Sequence, residues 1–578
     1  MKKLFLILLV FIVSCSGFTK LPPETENALQ MAGKNFKEVF NAIVRYKDVD
    51  SLKFAAANFL VANAQYKQFA DNVNGVMICD VNYLTEQFLT QNIDSAFLAY
   101  QKTWNKNLVF EDFKEFLLPY KFLEEKPDYW RGKYAAEYES FLTDTITTAE
   151  SAAKILNAAI VAKGMDFTDC GDFALRTAKV MRSCGIPVGV ALIPHWGTKG
   201  NSHIFNILKT ENGFVDFLGG EDSFGRHLDG FHDNIPKIYM LCFSKQDVIF
   251  PREDKPSLFR NMFLKDITAD ILCNTKDLSV EINSRGKLAY LCVFDTKGWC
   301  PVSCAEIKNK IATFADLGTG VVYQLATFDE GKLLCYGNPF LLNADGTTSY
   351  YIPAQKTFNQ ILTRKSPESN RWEEVEKQIP GGKFQGANRE DFKDSVTLFT
   401  ITETPDLKFQ QAEIINTQKF KYLRYLSSNK TYGNMAEVEF YGTDNKIMEH
   451  KRVFGRYKPS LWFPDFTAEK LFDGDVLTFF HTSDSLSWGA IELSAPQAVS
   501  KIRYKIRNDD NGIRKGEIYE LLYANNGFWL SLGKITAEKD DEILFENLPE
   551  GALFWLRDLS KGTEERIFEI KDGEVQWR

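Results

Sequence analysis

The spacing of apolar residues changes once along this chain, and the change divides what the chain can fold into. Up to about Ala162 the apolar residues recur at helical intervals, for example Phe36, Val39, Phe40, Ile43 and Val44, then Leu52, Ala55, Phe59 and Leu60. Beyond Pro251-Arg-Glu-Asp-Lys-Pro256, a linker by composition, the pattern becomes strand-like. Ser279-Val-Glu-Ile282, Lys287-Leu-Ala-Tyr-Leu-Cys-Val-Phe294, Gly320-Val-Val-Tyr-Gln-Leu-Ala-Thr327 and Ser349-Tyr-Tyr-Ile352 are separated by turn residues. At 578 residues the chain is too long for one core. The predicted architecture is multidomain α+β: a helical region over 24–104, an α+β core over 105–250, a β-sandwich over 257–360, a polar connector, and an all-β region over 380–578.

The core carries the residues that point to chemistry. Thr168 or Asp169 can N-cap a helix, which sets Cys170 in the first turn, where backbone N–H groups and the helix dipole favour a thiolate over a thiol. Phe173, Ala174, Val180, Met181 and Cys184 then recur at helical spacing, Gly185 supplies a left-handed C-cap, and Pro187 blocks further helix. Val188-Gly-Val-Ala-Leu-Ile193 reads as a buried strand and His203-Ile-Phe-Asn-Ile-Leu208 as a second, which Asn212-Gly213 turns into Gly213-Phe-Val-Asp-Phe217. A thiol nucleophile needs an imidazole to take its proton, and the imidazole needs an acceptor to fix its tautomer. Cys170, His203 and Asp216 are the candidates for those three roles. A helical cysteine is most often a small buried hydrophobe, which is the reading for Cys184 on the apolar stripe. His195, at a strand end, reads as a rim residue.

The acid is open between two residues. With Glu211 paired to Phe214, the ladder puts Asp216 opposite Lys209, on the face of His203 but several residues along. Asp222 would fall opposite His203, past the break at Gly219-Gly220, and is the second choice.

Cys170, Gly185-Ile186-Pro187, His203 and Asp216 resemble the transglutaminase-like superfamily, in which a Cys opens a helix, Gly-Ile-Pro ends it, and a His and an Asp follow on consecutive strands. Asp50-Ser-Leu-Lys-Phe-Ala-Ala-Ala-Asn-Phe-Leu-Val, Trp130-Arg131 and His203-Ile-Phe-Asn206 are similar to a group of Bacteroidetes lipoproteins that carry this domain. Two positions depart: Phe205 stands where the family usually has Trp, and Val188-Gly189 where it often has Arg. The resemblance implies a papain/transglutaminase-like core with no required cofactor. It also implies a cysteine hydrolase or acyl transferase acting on amide bonds of a peptide or glycopeptide. The rival, from another class, is a non-catalytic lipoprotein that binds a glycan or peptide in the same groove.

Lys2-Lys3 followed by the apolar residues 4–13 reads as a secretion signal, too short to span a bilayer as a helix. Ile12-Val13-Ser14-Cys15 resembles a bacterial lipobox, which implies cleavage after residue 14, a lipidated Cys15 and a tether over 15–23. The membrane is then a partner through the lipid alone. Ser16-Gly17-Phe18-Thr19-Lys20 lacks the acidic cluster of surface-exported lipoproteins in Bacteroidetes, so the expected location is the cell envelope, at the outer membrane and facing the periplasm. With 69 basic and 77 acidic side chains, net −8 and without long blocks, the chain offers no nucleic-acid surface. Nine cysteines other than Cys15 are an odd number for an oxidising compartment, which leaves at least one thiol.

Tyr422-Leu-Arg-Tyr-Leu426, Ala436-Glu-Val-Glu-Phe-Tyr-Gly442, Phe472-Asp-Gly-Asp475, Thr478 and Trp488 resemble the discoidin, or coagulation factor 5/8 C-terminal, β-sandwich. The Glu-rich strand comes before the Asp-Gly-Asp block, the reverse of the usual order, so either the strands are permuted or two modules meet near Gly442. Such modules often hold a structural Ca²⁺, which takes hard oxygen ligands, and Asp473, Asp475 and Glu437 are the positions for it. The competing reading is an ordinary turn. Tyr432, Phe480 and Trp488 are aromatics that could stack on sugar rings or serve as core and rim.

Overall fold

The computed structural model describes residues 20–70, 76–164, 169–221, 224–228, 234–247, 255–296, 298–460, 464–561 and 564–578. The chain is mixed α+β and divides into two compact units. One comprises the described residues up to Val293 with Trp299–Tyr336 and Phe340–Ser349, and the other Phe294–Gly298, Gly337–Pro339 and Tyr350–Arg578.

The first unit opens with helices Pro23–Met31, Phe36–Val44, Ser51–Ala64 and Glu86–Tyr100. Local chemistry sets their starts. The Asp50 carboxylate accepts from the Leu52 and Lys53 amides, both at 3.0 Å, and the Thr85 hydroxyl accepts from the Phe88 amide at 3.1 Å. Leu29, Val39, Ile43, Leu60 and Ile93 form their common core. The region is not wholly helical, because a hairpin of Gln68–Ala70 with Met77–Cys79 interrupts it. Beside that hairpin Lys121 Nζ donates to Asp80 Oδ1 at 2.8 Å and Tyr120 Oη to Asp80 Oδ2 at 2.7 Å, all three buried. Trp130 and Arg131 fasten the turn that carries them. Trp130 Nε1 donates to the Tyr120 carbonyl at 2.6 Å, and Arg131 donates to the Pro119 carbonyl at 2.8 Å and to Asn92 Oδ1 at 2.7 Å.

Five antiparallel strands form the sheet of the core, in the order Gly213–Phe217, His203–Thr210, Val188–Ile193, Tyr239–Leu241, Leu264–Asp266. The helices Ala149–Lys163 and Cys170–Ser183 share its apolar cluster, with Leu156, Ile160, Ala178 and Met181 against Val190, Phe205 and Ile207. Gly185 ends the cysteine helix at φ +83°, and a Cβ there would lie 2.5 Å from the Ala99 carbonyl oxygen, so both backbone and space require glycine. Trp104 Nε1 and Asn105 Nδ2 donate to the Gly185 carbonyl at 2.8 and 2.7 Å, which joins the helical region to the core.

The hairpin register differs from expectation. Thr210 pairs with Gly213 and Ile207 with Asp216, so Asp216 stands opposite Ile207 rather than Lys209. The positive φ, +118°, falls on Gly213 at the foot of the loop. The loop tip is therefore Glu211 and Asn212, one step earlier than an Asn-Gly centre would put it.

The strands of the expected β-sandwich over 257–360 follow one another in a seven-stranded order that belongs largely to the first unit. They are fastened to the core. Tyr239 Oη donates to the Val302 carbonyl at 2.8 Å, Lys237 Nζ to the Ala315 carbonyl at 3.0 Å, and Tyr323 Oη to the Pro236 carbonyl at 3.4 Å.

Among the described residues the second unit has two large cores. The first surrounds the 19-residue strand Trp488–Ile506, whose early half pairs with Lys419–Leu426 and His450–Arg456 and whose late half pairs with Gly433–Gly442 and Gln410–Glu413. Phe384, Leu423, Tyr425, Phe440 and Ile502 fill it. The second core, with Ile513, Tyr519, Phe545, Phe554 and Phe568, lies on the five-stranded sheet of the C-terminal residues. The change of core falls after Ile506 and not near Gly442, which sits inside the first.

Candidate functional site

Asp169 has extended backbone and its side chain accepts from the Asp172 amide at 2.9 Å, so it is the N-cap and Cys170 is the first helical residue. Cys170 is half-buried. The helix start lies on the start of the histidine strand: a Cβ built on Gly171 would be 3.7 Å from Ile204 Cδ1, next to His203. Asn206 holds the layers together. Its Nδ2 donates to the Ala174 carbonyl at 2.8 Å and its Oδ1 accepts from the Gly219 amide at 3.1 Å. Gly219 in turn runs so close to the helix that a Cβ would meet Thr177 Oγ1 at 1.8 Å.

His203 opens its strand buried at 9% exposure, stacked between aromatic neighbours: Trp196 at 5.7 Å and Phe205 at 5.9 Å between ring centroids. Its Nε2 lies 2.8 Å from Nε2 of His227, which is also buried. On the other side of His227, Nδ1 faces Glu221 Oε2 at 3.5 Å. Asp216 reaches this pair at one remove. Its Oδ2 accepts from the Leu228 amide at 2.8 Å and its carbonyl from the Gly225 amide at 2.8 Å, so it fixes the turn that presents His227. Its charge also favours the protonated form of His227.

Burial first, then His227 and Lys199, pushes the His203 imidazole down to about 4, and burial lowers His227 as well. Burial therefore favours the neutral form of both rings. Two neutral imidazoles joined Nε2 to Nε2 share one proton across that bond. Were the His227 Nδ1–H turned to the Glu221 carboxylate, 3.5 Å away, His227 Nε2 would accept and His203 Nε2–H would donate. That tautomer leaves the basic lone pair of His203 on Nδ1, the arrangement a general base requires.

Cys170, His203 and Asp216 fall on the helix start and the two strands expected for them, and Asp216 bonds to the turn that carries His227. Sequence reasoning did not single out His227, whose only signal was its rarity as one of six histidines, in a stretch without periodicity after Gly219-Gly220. Asp222 and Cys15 lie outside the described residues. Among the described residues none of the nine cysteines is disulfide-bonded.

The three calcium candidates are placed differently from a ligand set. Glu437 Oε2 accepts from the Gly474 amide at 2.9 Å, Asp475 Oδ1 from the Leu477 amide at 3.0 Å, and Asp473 Oδ2 pairs with Lys470 Nζ at 3.0 Å. Their oxygens do not gather within 4.8 Å of one another, and an ammonium already holds one of them. Of the aromatics, Phe480 is fully buried, Trp488 packs on Phe392 at 5.2 Å, and Tyr432 is half exposed. A comparison with protein-family models finds no match to this chain, and none of the curated proteins matches it.

Proposed function

We propose that the first unit is a thiol-dependent hydrolase or acyl transferase for amide bonds in a peptide or glycopeptide, carried by an envelope lipoprotein. The observation that supports it is the buried His203–His227 pair, 2.8 Å apart with Glu221 beside it, at the strand start on which the Cys170 turn rests. In the reaction, His203 Nδ1 takes the thiol proton as Cys170 Sγ bonds to the amide carbon. First-turn amide N–H groups face the developing oxyanion. His203 then gives the proton to the leaving nitrogen as the C–N bond breaks, which leaves a thioester. Water or an amine attacks the thioester, and the thiol is restored. His227 and Asp216 are positioning residues in this scheme.

The test is alkylation of the full chain with iodoacetamide at pH 7, with labelled cysteines located by mass. Cys170 is expected to label first, His203→Ala to slow it at least tenfold, and His195→Ala to leave it within twofold of wild type. A Cys170 that labels no faster than the buried Cys184 would overturn the proposal.

A further inference from the structure

The cysteine helix has a second chemical end. Arg182, twelve residues and roughly 18 Å along the axis from Cys170, lines a cavity of about 700 Å³ together with Lys67, Lys121 and Arg260. The volume suits a small organic ligand. Phe122, Phe243 and Phe263 supply apolar walls.

The cations in this cavity are not equivalent. Lys121 is ion-paired with Asp80 at 2.8 Å and also donates to the Gln68 carbonyl at 3.0 Å. Lys67 is 7% exposed, and its Nζ sits 3.2 Å from the Phe263 ring centroid. Arg182 is 2% exposed, donates through Nε to the Val188 carbonyl at 2.8 Å, and stacks over Phe122 at 4.5 Å. Among the described residues no carboxylate lies within ion-pair distance of Lys67 or Arg182. Glu115 and Cys242 act electrostatically on both Lys67 and Arg182, and these two basic groups line the same cavity. The Glu115 carboxylate is already taken by the Phe243 and Ser244 amides at 2.7 and 3.1 Å.

Two buried basic groups with no ion-paired carboxylate among the described residues, on a cavity with phenylalanine walls, are costly to keep charged unless something neutralises them. We propose that this cavity binds an amphiphilic carboxylate, its charged end held by Lys67 and Arg182 and its apolar body lying on the phenylalanine walls. The site is separate from the thiol site and does not depend on its chemistry. Burial lowers the Lys67 ammonium to about 7, against the pull of Glu115 and Asp80 and with the push of Lys121, so a bound carboxylate would restore a charge the fold by itself disfavours.

Titration calorimetry on the purified full chain tests it with octanoate and N-acetyl-leucine, each beside its neutral partner, octan-1-ol and N-acetyl-leucine methylamide. At least one acid is expected to bind tenfold or more tightly than its neutral partner. Octanoate as the tighter acid identifies an acyl-chain source, and N-acetyl-leucine a peptide C-terminus. Lys67→Met keeps the volume and removes the charge, so it is expected to weaken the acid at least tenfold without lowering the melting temperature. Cys170→Ala should leave binding unchanged. Equal binding of acid and neutral partner, no binding of either acid, wild-type affinity in Lys67→Met, or loss of binding in Cys170→Ala would each overturn the proposal.

Discussion

At the scale of single residues, the site depends on which groups stay neutral. An imidazole held near 4 remains a base at pH values where a free histidine is protonated, so the acid limb of alkylation at Cys170 should lie near pH 4 to 5 rather than at 6.5. His227→Ala removes the second-largest cause of that shift and is expected to move the limb upward; an unmoved limb would separate His227 from the base. Glu437 shows the opposite case. Burial, helped by Asp473, raises its carboxyl to about 8. The folded chain then holds a proton that the unfolded chain has lost above about 4.5, so stability falls as pH rises from about 4.5 to 8. Glu437→Gln keeps an acceptor for the Gly474 amide and removes the titration. Its melting temperature should exceed wild type at pH 8.5 and match it near pH 4.5. Cys170 and His203 were legible because each opens an element and leaves a local signature. His227 was not, because a loop held by a carboxylate twelve residues upstream leaves none.

At the scale of elements, the boundaries were legible wherever backbone chemistry is local. The strands Val188–Ile193 and Gly213–Phe217 fall where hydrophobic runs and turn residues placed them. Register was not, because it depended on which residue takes the positive φ. The sequence offered Asn212 and Gly213 equally, and the chain uses Gly213 alone. The helix end at Gly185 is a sharper test of the same physics. Gly185→Ala must strain a left-handed backbone and displace the Ala99 carbonyl, so a loss of about 2 kcal/mol or more is expected. Thermal unfolding of the variant checks it, and an unchanged midpoint would mean that the helix end has moved.

At the scale of the whole molecule, the change from helical to alternating spacing carried the mixed α+β class, while contacts between distant segments carry the grouping of strands into cores. The strands Thr275–Glu281 through Lys332–Leu342 look independent in sequence because each is self-sufficient in alternation. Their side chains and carbonyls are nonetheless bonded to the core strands, and hydrogen bonds over long separations leave no periodic trace. The membrane attachment we propose through a lipidated Cys15 likewise concerns the chain as a whole. Among the described residues no helix is long and apolar enough to cross a bilayer. Cys15→Ala is expected to move the protein from the membrane fraction to the soluble one. A variant that still sediments with membranes in high salt would show a second attachment.

Lys237, Tyr239 and Tyr323 carry a consequence for biosynthesis. Their partners lie 78, 63 and 5 residues away along the chain, and Tyr323 also reaches back 87 residues to the Pro236 carbonyl. The thiol and both imidazoles are therefore synthesised long before the segment that braces their sheet. A nascent chain paused near residue 272 would hold every group of the candidate site and lack the clamp on the strands beside it, which forms only once the segment around Val302 and Tyr323 has been made.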